Sequence, residues 1–231
     1  MSRHGIVASA LVNAPPVARR TAHQAAVLAA GAVMIGLGVA LFSHAGLGLP
    51  PYDVLLSVLR DRLGITLGQA GWILAALLLS IAAMLRQFPS LVTAAYILLN
   101  GLAVDTAIGL LIDPEVLVVR IIFVIVGITA LAGGIALVVH SGLGGGAFEL
   151  LMRAGAVRGR DPMRIRTGLE VGLLSLGIAL GGDFGPATVV FALTIGPMLR
   201  LGAQALADHR TGREHRLAGH LHHISEHAVT H

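Results

Sequence analysis

No cysteine and no lysine occur among the 231 residues. Without thiols the chain can form no disulfide, no thiolate metal site and no cysteine nucleophile. All sixteen basic residues are arginine, which with the abundance of Ala and Gly reads as compositional bias and assigns no function. Charged residues make up 12%, about half the share of an ordinary soluble domain, and aromatic residues only 4%. The net charge of +4 is carried by arginines in the tails and between apolar runs. That is the distribution of membrane flanks, not of a basic face interleaved with stacking aromatics, so nucleic acid is not expected as a partner. No Walker motif, hydrolytic triad or cofactor fingerprint is present; the His140-Ser141 adjacency is not a triad. The expectation is therefore no enzyme and no cofactor.

What fills the chain is apolar. Hydrophobic residues reach 55% and the mean hydropathy is +0.84. The apolar matter is clustered at 25–45, 67–85, 91–112, 116–139, 165–180 and 187–206. About 20 apolar residues cross a ~30 Å hydrocarbon core as a helix, and barrel-like alternation is absent. These stretches predict an all-α polytopic membrane protein of about six transmembrane helices.

The stretch Gly-Val-Ala-Leu-Phe-Ser-His-Ala-Gly-Leu-Gly at 38–48 returns as Gly-Ile-Ala-Leu-Val-Val-His-Ser-Gly-Leu-Gly at 134–144, with seven of eleven positions identical at an offset of 96. Thr93, Tyr96, Leu98 and Gly101 likewise answer Thr188, Phe191, Leu193 and Gly196 at an offset of 95. The chain divides into a cytoplasmic tail (1–24), repeat 1 (25–112), repeat 2 (116–207) and a His-rich cytoplasmic tail (208–231). Six spans place thirteen of the sixteen arginines inside, leaving Arg60, Arg62 and Arg120 outside, with both termini cytoplasmic. Three crossings per repeat is an odd number, so the second copy enters from the opposite face and the repeats are inverted. The alternative counts the short segments 51–62 and 146–157 as crossings, giving eight helices in parallel repeats. Twelve residues rise only about 18 Å, which disfavours it.

Each repeat contains a Gly-rich break, Gly46-Leu47-Gly48 and Gly142-Leu143-Gly144, followed by a short half-helix. Asp53 and Glu149 recur in the first turn of these half-helices, next to Tyr52 and Phe148. One reading makes both acids caps on free backbone N–H groups. The other makes Gly46, Gly48, Asp53, Gly142, Gly144, Glu149 and the mid-span Asn100 part of a substrate or ion pathway. His44 and His140 are paired by the repeat; each is a helix C-terminal cap or a proton and polar contact at the cavity mouth. Glu170 lies one turn beyond Arg166, which predicts an i,i+4 ion pair. In the tail, His220, His223, His227 and His231 would share a helix face, a spacing that lets two imidazoles reach one metal ion. An imidazole-only cluster does not select a metal, and a solvated tail is the plainer reading.

The segment 38–55, with Gly46-Leu47-Gly48, Pro50, Asp53, Val54 and Leu55, resembles the YczE/YitT-like bacterial integral membrane proteins. So do Asn100-Gly101 with Asp105, and the run from Phe191 to Pro197, and the likeness extends over roughly 25–205. In that family a Gly commonly precedes the Thr of the third span, where this chain has Val92 and Ala187. The resemblance implies a bacterial inner-membrane protein, with small-molecule export sometimes proposed, and supplies no catalytic residues. Taken together the expected function is a secondary transporter or exporter, with a membrane-embedded regulatory or assembly partner as the alternative. Expected partners are the bilayer and a small molecule, with homo-oligomerisation left open.

Overall fold

A computed structural model of the chain describes residues 17–196. Every element in that range is helical: α1 (Val17–Ala45), α2 (Pro51–Leu63), α3 (Leu67–Met84), α4 (Leu91–Leu110), α5 (Leu117–Ser141), α6 (Ala147–Ala156), α7 (Pro162–Ala179) and α8 (Pro186–Gly196). Four helices are long and apolar enough to cross a membrane, namely α3, α4, α5 and the Ala22–Ala45 part of α1. Among the described residues, four of the six expected spans meet the length and composition of a membrane crossing. Helix α7 has the length but brings Arg164, Arg166 and Glu170 into its first half, and α8 shows only eleven residues within the described range. The half-helices are short, as the 12-residue windows predicted: α2 has thirteen residues and α6 ten. Pro51 opens α2, where its missing N–H is no loss, and Gly64 closes it in the left-handed region (φ 64°).

The most extensive helix contact joins α1 to α5. It is a close crossing on glycine. A methyl group on Gly31 would come within 2.9 Å of the Gly134 carbonyl oxygen, and one on Gly38 within 3.0 Å of the Gly127 carbonyl oxygen. Numbers fall along α5 as they rise along α1, so the two helices run antiparallel. Small residues seven apart face the same side of a helix and let backbones approach, as small-residue seams do in membranes. The pairs are also reciprocal at the repeat offset. Gly31 corresponds to Gly127 and Gly38 to Gly134, and each glycine contacts the counterpart of the other.

Two more contacts follow the same rule. Tyr52 meets its own counterpart Phe148 edge to face, centroids 5.5 Å apart, at the N-termini of α2 and α6. At the opposite ends of these helices, Arg62 donates to the Leu180 carbonyl and Arg158 to the Leu85 carbonyl, each at 3.2 Å. Helix α2 therefore packs on α7, and α6 on α3, each half-helix leaning on a long helix of the other repeat.

Helix α3 is capped twice. Thr66 and Gln69 form a reciprocal capping box, and Asp105 from α4 accepts from Thr66 Oγ1 at 2.6 Å and from the Gly68 N–H at 2.8 Å. Asp105→Ala leaves that N–H unpaired and is expected to cost about 1–3 kcal/mol. Asp105→Asn keeps an acceptor and should cost less. Thermal unfolding of the purified protein in detergent measures both, and equal melting of the two variants and wild type would refute the role.

Candidate functional site

All eight helices border one central cavity of about 230 Å³. The first turns of α2 and α6 meet on its wall with Tyr52, Asp53, Phe148 and Glu149. Of one Trp, two Tyr and six Phe in the chain, the Trp, both Tyr and two Phe (Phe148 and Phe191) lie on its wall. An aromatic-poor chain has gathered half its rings in one place. Trp72 is held there by an indole N–H to Ile97 carbonyl bond of 3.2 Å and by close contact with Gly101, where even a methyl group would collide with the ring. Phe191 is fixed edge-on against Phe42 at 5.7 Å.

The polar wall is acidic. Asp53, Glu149 and Glu170 supply three carboxyls and Arg166 the one guanidinium. Arg166 is committed to Glu170 at 3.0 Å, the i,i+4 pair expected from their spacing. Glu149 folds back over the N-terminus of α6, its carboxylate lying against Gly145 and near Gly146. Asp53 is different. It is 6% exposed, makes no capping bond to α2, and receives no hydrogen bond from any described residue. The two acids of the pair are therefore placed differently. Among the described residues no sealed side-chain polar atom lacks a partner, so the Asp53 oxygens open onto the cavity, and their charge is met by what fills it rather than by a protein group.

Asn100, from the middle of α4, also borders the cavity and reaches the Ala32 carbonyl on α1 at 3.4 Å. The glycines of the breaks do not border it. Gly46 and Gly48 line a smaller pocket with Ser43, Asp183 and Phe184. Gly48 (φ 105°) lies so close to Gly185 that no side chain fits between them, and the Leu47 carbonyl and Leu49 N–H bond Ala187 and Asp183 at 2.9 Å. This break is pinned to the α7–α8 turn. Gly142 and Gly144 take the same left-handed conformations (φ 66° and 98°) in the second break.

His44 lies away from the cavity. Its ring bonds Asp113 at 2.6 Å and the Ile108 carbonyl at 3.0 Å, tying the end of α1 to the end of α4. His140 is exposed. The structure thus separates the two histidines from the two acids, though both pairs came from the same repeat. At the far end of α2, Arg60 bonds Asp61 at 2.7 Å and Asp183 at 3.0 Å, and its guanidinium holds the exposed Asp61 carboxyl below the ordinary carboxylate range. His220, His223, His227 and His231 lie outside the described residues. Sequence reasoning missed Trp72, Tyr96 and Phe191 as wall residues. Their only signal was rarity, in a chain with so few rings to place.

Residues 22–203 match DUF6198, a family of unknown function. An uncharacterized protein of Haemophilus influenzae is 27% identical over 175 residues, spanning 75% of this chain and 80% of the relative. A Bacillus subtilis relative bearing the name uncharacterized membrane protein YczE is 27% identical over 174 residues, 74% and 81% of the two chains. No solved structure matches. Every wall residue of the cavity falls inside the family match. The chain therefore belongs to DUF6198, and is a helical membrane protein similar to YczE.

Proposed function

We propose that this protein is a secondary transporter or exporter of a small molecule, working through the central cavity between two inverted repeats and catalysing no chemical step. The observation that carries the reading is Asp53: a buried carboxyl without a partner, on the wall of a cavity, at the start of a half-helix. Intramembrane acids in such places take part in ion and proton pathways because their charge has to be met by something mobile. A capping residue would not need the cavity, and a packing residue would not be acidic.

Five contacts support inversion over parallel repeats: the antiparallel Gly31–Gly134 and Gly38–Gly127 crossing, the Tyr52–Phe148 self-pair, and the exchanged Arg62–Leu180 and Arg158–Leu85 bonds. Residue i touching the counterpart of j while j touches the counterpart of i is the signature of a two-fold relation. Parallel repeats would set α1 and α5 in the same direction. In this reading α7 and α8 complete six spans, and α2 and α6 start near mid-membrane and run outward to opposite faces. The arginine distribution then puts both termini in the cytoplasm of a bacterial inner membrane.

Cysteine labelling tests both claims without a known substrate, because no native thiol contributes background. Single cysteines are placed at Leu63 and Val157, exposed near the far ends of α2 and α6, and at Ala75, buried on the cavity wall. An impermeant maleimide is applied to right-side-out and inside-out vesicles. Leu63→Cys should react from outside only, Val157→Cys from inside only, and Ala75→Cys from both sides in turn. Labelling of Leu63 and Val157 from one common side refutes inversion. Ala75 reacting from a single side, or from neither, refutes transport and leaves a static regulatory or assembly role.

A further inference from the structure

From the wall chemistry of this cavity we infer its ligand class: a compact organic cation, of the alkylammonium kind, held by aromatic faces around Asp53. The inference rests on the transport reading for its biological meaning, but the binding it asserts is separately measurable.

Two independent features converge. The first is the Asp53 carboxyl, 6% exposed, without a protein hydrogen-bond partner and open to the cavity, where it favours a cation. The second is the kind of wall around it: Tyr52, Trp72, Tyr96 and Phe148 border the same space. Ring faces attract a weakly hydrated organic cation, and Trp does so best. They offer little to a hard inorganic ion, which asks for six or more oxygen ligands. Among the described residues no group of three His, Cys, Asp or Glu is placed to hold a metal ion. An anion is disfavoured as well. Asp53 and Glu149 occupy the helix N-termini where it would bind, and Arg166 is already neutralised by Glu170. Size narrows the class further. About 230 Å³ lies below the usual 300–1,000 Å³ of drug-sized pockets, so a small ion fits and an extended drug does not.

The protein carries its own reporter. Trp72 is the sole tryptophan and it lies on this wall, so its emission reads occupancy directly. Purified full-length protein in detergent is titrated with tetraethylammonium and with benzyltrimethylammonium. The uncharged 3,3-dimethylbutan-1-ol and the anion benzenesulfonate serve as comparisons. Both ammonium ions should change Trp72 emission saturably and raise the melting temperature. The alcohol and the sulfonate should bind about tenfold more weakly or not at all. Asp53→Asn should weaken ammonium binding about tenfold or more. Should that variant not fold, Tyr96→Leu keeps the bulk, removes a ring face, and should weaken binding severalfold.

Alcohol or sulfonate binding as tightly as the ammonium ions overturns the ligand class. So does the absence of any ammonium response in folded protein. Either failure with Ala75→Cys still open to both sides leaves transport standing with a different substrate. A sealed Ala75 with tight ammonium binding has the opposite meaning: the cation site stands and transport falls.

Discussion

Leucine in place of Gly134 is expected to leave no folded protein in the membrane. A Cβ on Gly134 would sit 2.7 Å from Ile35 Cγ1, 2.8 Å from the Gly31 carbonyl oxygen and 3.0 Å from the Ile35 backbone nitrogen. Two of those three atoms are backbone, so no rotamer change relieves the clash and α1 must move off α5. Overpacking ordinarily costs about 1–3 kcal/mol, and here it would also undo the most extensive interface in the molecule. Gly31→Leu should do the same, because it meets the Gly134 carbonyl and Val138 from the other side. Two glycines serve as controls. A Cβ on Gly109 meets nothing within 4 Å, and on Gly133 only the flexible tip of Met34 at 3.0 Å. Gly109→Ala should be neutral or stabilising by up to about 1 kcal/mol, since alanine is the better helix former. Fluorescence-detected size exclusion of each variant in mild detergent gives the readout. A monodisperse peak at wild-type yield for Gly134→Leu would show that the crossing does not hold the fold together.

That crossing was half visible in the sequence. Gly38 and Gly134 belong to the repeated segment, but Gly31 stands outside it among alanines and Gly127 among valines and isoleucines, where a glycine attracts no notice. Helix limits were legible where hydropathy and punctuation agree: Pro50 before α2, Gly64 after it, Ser90 before α4. Partners far apart in sequence were not. Asp105 falls late in its apolar stretch, and only the fold brings Thr66 and Gly68 to it. Nor could the repeat tell its two acids apart. Asp53 and Glu149 occupy the same first turn, yet Glu149 has one more methylene and Gly145-Gly146 behind it, so it can fold back onto its own N-terminus. The shorter Asp53 follows Pro50 and Pro51, neither of which has an N–H to offer. The histidines differ in another way. The repeat pairs them, but the fold does not treat them alike: His44 ties α1 to α4 while His140 is exposed.

This asymmetry makes the paired neutralisation of Asp53 and Glu149 the most informative experiment on function. Glu149→Gln keeps the shape of a capping side chain but weakens its attraction to the N-terminus of α6. It should lower stability by about 0.5–1 kcal/mol, a modest fall in melting temperature. Asp53→Asn removes a buried carboxyl that no protein group neutralises, and should hold or raise the melting temperature. Function should move the other way. Asp53→Asn is expected to lose nearly all uptake or release of a transported ammonium ion in proteoliposomes, while Glu149→Gln keeps a measurable share. If Asp53 were only a structural residue, its neutralisation would lower stability and leave flux per folded molecule unchanged. Stability gained with flux lost is the pattern that a group selected for exchange with a mobile cation must show, because the interaction it is built for is absent from the empty protein.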